Sequence, residues 1–307
     1  MTLPLDGARA NEPISDTPQD LLIEKTVILV SVGTLQEYII SNIEQLIQLG
    51  FKNIHIITDK KYFEFFSSYD TIKLIDANTL DVNTFDAKIK LKNKRKNKRR
   101  IRYRNGFWIS TSKRFFLIYE YMKINNIQNV LHLENDVLLY SHMNYGLDEK
   151  IYLTMDSKDR CIPGIMYIPN YELLTNLILN YDFTKNDMIN LAKFYHTEKH
   201  IVETFPIIDN SIDKCIYNEN FHEFNSIFDG AAIGQYLGGV DPRNIPGDTT
   251  GFINETCIIK YDKYNFEWIK RGEHSFPHIE INKKLIPINN LHIHCKNLAQ
   301  FRINSPI

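Results

Sequence analysis

The sequence has no run of about 18 uninterrupted apolar residues, which excludes a conventional membrane-spanning helix. Its first 25 residues lack the basic start and apolar middle of a secretory signal, so the mature chain is expected to be cytoplasmic. Cysteine is scarce. Cys161, Cys215, Cys257 and Cys295 are widely scattered and form no C-x-x-C, which favours reduced thiols over a zinc site or a disulfide framework and leaves the lone N-x-T sequon at Asn254 little meaning. Internal repeats and low-complexity linkers are missing too, and nothing marks a domain boundary. Residues 1–24, rich in Pro, Asp, Asn and Thr, read as a flexible leader. Residues 25–307 read as one domain, in halves 25–140 and 141–307. Hydrophobic residues at 43% and charged residues at 24% are ordinary for a globular protein, so wholesale disorder is excluded.

The net charge of −1 hides an asymmetry. Residues 88–104, "KIKLKNKRKNKRRIRYR", contain eleven of the 36 basic residues and no acid; the other 25 face all 37 acids, a balance of −12. Such a segment is either a solvated, mobile loop or a peripheral contact for anions. Only Tyr103 is at hand for base stacking and no helical apolar face accompanies the charges, so no nucleic-acid partner is expected.

What is present is α/β alternation. "KTVILVSVG" (25–33) is a β-branched apolar run that reads as a buried strand. In "TLQEYIISNIEQLIQLG", Ile39, Ile43, Leu46 and Ile47 recur at helical spacing, and Gly50 stands where a C-cap belongs. "KNIHIITD" (52–59) supplies a second strand, and strand–helix–strand within so short a stretch predicts a βαβ unit and a parallel sheet. A helix at 111–126 and a strand at "NVLHLENDVLL" continue the pattern. The second half is more mixed, with a strand at 163–169, a helix at 186–196 and a terminal strand "NNLHIHCKNL". The fold class is α/β, a mostly parallel central sheet flanked by helices.

Ligands of open α/β sheets gather beyond the carboxyl ends of the strands. Glu134 and Asp136 fall at such an end, and in extended chain their spacing aims both side chains to one side, about 6 to 7 Å apart. Two hard oxygen donors there suit Mn²⁺ or Mg²⁺ shared with a substrate's phosphates; the alternative is an Asp/Asn turn that simply closes the strand. His294 shares a face with His292 on the terminal strand and is a competent ligand, whereas His292 itself reads as a satisfied core residue. Lys296 offers a point charge for a phosphate. Lys113 and Arg114 fall in the first turn of the 111–126 helix, where the macrodipole disfavours cations; either a bound anion resolves that conflict or both side chains point into water. Asp229 precedes the small residues Gly230, Ala231 and Ala232 and a short helix ending at Gly238-Gly239. It is a natural N-cap, and a free oxygen facing a pocket could also make it a general base.

Taken together, "FWISTSKRFF", "HLENDVLLY", "FDGAAIGQYLGG" and "LHIHCKNL" resemble nucleotide-sugar-dependent glycosyltransferases of the GT-A fold, in particular a viral and bacterial group, over roughly residues 25–301. The resemblance implies a D-x-D-type motif at Glu134-Asn135-Asp136 binding Mn²⁺ or Mg²⁺ across the donor's diphosphate, with Asp136 and His294 as ligands and Glu134 beside them. It further implies a nucleotide-binding half at 25–140 and an acceptor-binding half at 141–307, nucleotide contacts from Ser31, Val32, Gly33 and Asp59, donor contacts from Arg114 and Lys296, and Asp229 as base of an inverting transfer from a UDP-sugar to a glycan acceptor. In that chemistry the main task is to stabilise negative charge developing on the leaving diphosphate. A sugar nucleotidyltransferase is the competing enzyme class, but it calls for a Gly-rich, basic loop after the first strand, and "SVGTLQEY" has one Gly and no base. A nucleic-acid- or membrane-binding protein acting through residues 88–104 is the third reading.

Overall fold

A computed structural model of the protein describes residues 25–93, 106–147 and 149–305. The leader lies outside these residues, as does most of the basic segment.

The first apolar run forms β1 (Thr26–Ser31), paired parallel with β2 (Ile54–Thr58) through the crossover helix α1 (Ile39–Gln48). Burying Ile39, Ile43 and Leu46 gives α1 its inward face. The helix ends at Leu49 and not at Gly50: Gly50, at φ +82°, follows as the left-handed residue, with its N–H on the Ile47 carbonyl (2.9 Å) and the Phe51 N–H on that of Leu46 (3.0 Å). α1 starts at Ile39, where the helical periodicity itself begins, and residues 34–38 precede it as a loop.

β3 (Ile72–Asp76) extends the sheet beyond β2, and β4 (Val130–Leu133) lies parallel on the other side of β1. The sheet then continues through β7 (Arg160–Ile168), β6 (Ile151–Ser157) and β8 (Val202–Thr204) to give seven strands in the order β3-β2-β1-β4-β7-β6-β8. Of these, β7 alone runs against the rest. The mostly parallel α/β sheet expected from the sequence is therefore what forms.

Both faces of the sheet are covered. Val27, Leu29, Ile54 and Ile56 face one core with α1, while Ile28, Ile57 and Val130 face another. That second core receives Phe115, Phe116 and Ile118 of α3 (Phe107–Asn125) and Phe85 of α2 (Asn83–Asn93). Residues 88–93 of the basic segment thus close a helix. α3 begins four residues before its expected start, so Lys113 and Arg114 stand past its first turn and the presumed dipole conflict does not arise.

α4 (Thr175–Leu179), α5 (Asp187–Thr197), α6 (Phe221–Phe224) and α7 (Ala232–Gly238) follow. The Asn186 side chain caps α5 by accepting from the Ile189 N–H at 3.0 Å. β9 (Asn265–Arg271), β10 (His274–Ile281) and β11 (Lys284–Pro287) make an antiparallel sheet. β5 (Val137–Leu139) pairs antiparallel with β12 (Asn290–His292), with His292 opposite Val137. The terminal strand is shorter than expected, since it ends at His292 and the chain turns before Lys296, whose φ is +66°.

Candidate functional site

The turn Glu134-Asn135-Asp136 joins β4 to β5, and its position is fixed from several sides. The Glu134 N–H donates to the Gly164 carbonyl (2.9 Å), Asn42 of α1 donates to the Glu134 carbonyl (3.1 Å), and the Asn135 amide donates to Val30 O (3.1 Å) and Gln36 Oε1 (2.7 Å). Across the ribbon, the Ile293 N–H donates to the Asp136 carbonyl at 2.8 Å. These bonds pin the acidic turn to the carboxyl end of β1 and to the end of β12.

The turn lines a cleft of about 370 Å³, within the usual range for ligand sites. Inside it, His292 Nε2 lies 3.1 Å from Glu134 Oε2 and 3.2 Å from Asp136 Oδ1. The other oxygens are gripped from outside: Glu134 Oε1 accepts from the Arg114 guanidinium, and Asp136 Oδ2 from the Lys296 ammonium. Each carboxylate therefore has one oxygen held in an ion pair and the other turned toward the imidazole. Asp187 braces Arg114 from the far side at 2.7 Å. Among the described residues, Glu134, Asp136 and His292 form a group whose ligand atoms all lie within 4.8 Å of one another.

The electrostatics follow from burial working against these contacts. Burial raises the Glu134 carboxyl, but Arg114 and His292 outweigh it and hold the group well below the usual carboxylate range. Asp136 is likewise held low, burial being outweighed by Lys296 and then His292. Burial lowers His292, yet Asp136 and Glu134 push it up to about 10. His294 is pushed down to about 3 by burial, with His292 and Lys296 adding to it.

The structure sorts the predicted residues. Glu134, Asp136, Arg114, Lys296, Ser31, Val32 and His294 line the cleft. His294 does not join the carboxylates, however; its ring stacks beside His292 at 4.3 Å between centroids and its Nε2 is buried without a partner. The imidazole at the acidic pair is that of His292, read from sequence as core. Gly33 and Asp59 are absent from the cleft wall and bind each other: the Gly33 N–H donates to Asp59 Oδ2 at 2.7 Å, and the Tyr62 hydroxyl donates to the Gly33 carbonyl at 2.9 Å.

Asp229 also departs from expectation. It is fully buried and outside the cleft wall, with Oδ1 accepting from Ile233 N–H (2.9 Å) and Oδ2 from the N–H groups of Gly234 (2.8 Å) and His292 (2.9 Å). Its burial raises the carboxyl despite these donors. The carboxylate binds N–H groups in the first turn of α7 from outside the N-cap position, which Ala231 holds at φ +71°, and it ties α7 to β12.

Sequence reasoning missed three further groups. Asp156, 3% exposed, is held by the Arg160 Nε at 2.8 and 2.9 Å, and burial raises its pKa against that pairing. Asp241 pairs with Arg243 at 2.6 Å, which brings its carboxyl down to about 2 against burial. Tyr38 lies beneath the Lys296 ammonium, 5.3 Å from nitrogen to ring centroid. All three line the cleft from loops or strand ends; the D-x-x-x-R and D-x-R pairs become visible only as contacts.

No family model and no curated protein matches the chain. Solved structures to which it is similar include the PaToxG glycosyltransferase, at 13% identity and a TM-score of 0.37 over 57% of this chain and 70% of that one. Another is an active-site mutant of LgtC, at 11% identity and a TM-score of 0.39 over 59% and 72%. A third is the apo-form glycosyltransferase GlyE of Streptococcus pneumoniae TIGR4, at 11% identity and a TM-score of 0.38 over 61% and 45%.

Proposed function

We propose that this chain transfers a sugar from a nucleotide-diphosphate sugar, a UDP-sugar being favoured, to a hydroxyl of a glycan acceptor, with a divalent cation held by Glu134, Asp136 and His292. The observation that carries this reading is the convergence of Glu134 Oε2, Asp136 Oδ1 and His292 Nε2 while Arg114 and Lys296 grip the outer oxygens. The donor set fits the ion: two hard carboxylate oxygens and one imidazole suit Mn²⁺ or Mg²⁺, and outer partners that orient ligating carboxylates are the usual accompaniment of such sites. When bound there, the cation would supply Lewis-acid stabilisation of charge developing on the leaving diphosphate.

The chain's own groups do the rest. Lys296 and Arg243 stand on the same wall as preorganised positive charge for the phosphates, and Ser31 and Val32 at the carboxyl end of β1 offer the place where open α/β sheets receive a nucleotide. For the acceptor's proton, Asp156 replaces Asp229: it lines the cleft, and its raised pKa is the direction a general base needs.

Calorimetric titration of nucleotide sugars with and without Mn²⁺ tests the reading. Asp136→Ala is expected to abolish cation-dependent donor binding, and unchanged affinity in that variant would remove the metal site. Asp156→Asn is expected to keep donor binding and lose transfer by on the order of 100-fold or more; normal turnover would leave Asp156 as a structural partner of Arg160.

A further inference from the structure

A second cavity, of about 650 Å³, lies away from the cleft, and no residue lines both. The two are linked by the β5–β12 ribbon: Asp136 and His292 flank one end of it, while Tyr140 and Asn289 at the other end line the second cavity. Its wall is rich in nitrogen groups: Arg271, His142, His274 and His278 contribute them and no carboxylate lines it among the described residues, although Glu267 stands opposite His278 across the β9–β10 pair and burial, with Arg271 adding to it, pushes the His278 imidazole down. In a chain whose acids outnumber its bases, such a wall is a departure from the average surface.

Local structure explains how those groups meet. Arg271 and His274 face each other as the closing pair of the β9–β10 hairpin, whose tight turn places Gly272 at φ +63°. His274, Phe276 and His278 alternate along β10 and so share one face. The Arg271 guanidinium lies over the Phe276 ring at 5.6 Å, and the His274 ring stands edge-on to it at 6.5 Å. A polar floor is fixed opposite: the Tyr145 hydroxyl sits 2.9 Å from both Ser226 Oγ and Asn289 Oδ1, and the Asn289 amide donates to Ser226 Oγ at 2.7 Å.

The geometry points to a second ligand site in this cavity, one that takes an acidic sugar, a pyranose carrying a carboxylate or a phosphate. The Arg271 guanidinium, with His142 and His274 beside the same cavity, recognises the acid group. The half-buried rings of Phe276 and Tyr145 offer apolar faces, and the Tyr145–Ser226–Asn289 floor offers oriented partners for hydroxyl groups. The volume is far larger than a bare inorganic anion fills, and no residue of the cation cluster takes part.

Titration calorimetry on the full chain in the Asp136→Ala background tests the site independently of the transferase reading. The probes are glucuronate, glucose 6-phosphate, glucose and inorganic phosphate. Glucuronate or glucose 6-phosphate is expected to bind, and whichever binds more tightly identifies the acid group. Arg271→Ala and His142→Ala, both at exposed side chains, should each weaken that binding tenfold or more. As a second readout independent of any substitution, ring signals of His142, His274 and His278 in selectively labelled protein should shift on adding the acidic sugar. Equal binding of glucose overturns the role of the acid group, and equal binding of inorganic phosphate overturns the role of the sugar. No binding by either acidic probe, affinities unchanged by both substitutions, or unshifted histidine signals overturns the site itself.

Discussion

His292 shows what a single residue can conceal. On an apolar strand it reads as core, and it is indeed only 4% exposed, yet its Nε2 meets both acidic side chains of the cleft. The spacing of His292 and His294 was legible; which of the two reaches the carboxylates was not, because the strand ends between them and the chain turns. His292→Ala is therefore expected to cost Mn²⁺ affinity roughly tenfold or more, with His294→Ala costing less, as read by calorimetry. Asp229 gives a complementary test. If it serves only to hold backbone N–H groups, Asp229→Asn, which sets an amide donor against one of them, lowers stability by about 1–3 kcal/mol in chemical denaturation while turnover per folded molecule is retained. A third residue sets a pH effect far from the cleft. Burial, aided by Lys73, pushes His55 down to about 4, and its Nδ1 pairs with the Tyr121 hydroxyl at 3.2 Å. Between pH 6.5 and pH 4 the unfolded chain takes up a proton that the folded chain refuses, so this contribution is complete above pH 6.5 and lost as pH falls through the window. Melting temperatures at pH 7 and pH 5 should differ less in His55→Phe than in the parent.

At the scale of elements, the βαβ unit was readable because strand and helix periods are local properties, as in Ile39, Ile43 and Leu46 of α1. Boundaries were less so: α3 starts at Phe107, and the half-buried residues 107–110 extend it ahead of the expected start. Two glycines matter through neighbours that no local pattern reveals. A Cβ at Gly234 would stand 2.0 Å from the His292 carbonyl oxygen, so α7 can lie against β12 only without one. Gly234→Ala should destabilise the protein by about 3 kcal/mol, measurable by denaturant titration. At Gly164 the added methyl would lie 2.9 Å from His292 Nδ1, a side chain and not backbone. Because that ring is buried and held by two carboxylates, Gly164→Ala should lower stability as well as weaken Mn²⁺ binding roughly tenfold.

For the molecule as a whole, the α/β class followed from alternation of apolar periods, whereas the antiparallel insertion of β7 between β4 and β6 had no sequence signature. A ligand that binds only the folded state stabilises it by mass action, so Mn²⁺ at 100 times its dissociation constant should add about 2.7 kcal/mol, and a chelator should reverse the gain in a thermal melt. Among the described helices none is long and apolar enough to cross a membrane.

The three groups of the candidate cation site are contributed by two widely separated stretches, the turn after β4 and the last residue of β12. During synthesis, all seven strands of the main sheet leave the ribosome before Leu291 and His292 do. A nascent chain stalled at Ile281 should accordingly take up no manganese, and uptake should begin only once His292 has cleared the ribosomal exit tunnel, which pull-down of stalled complexes carrying a C-terminal extension with a radioactive manganese tracer would reveal.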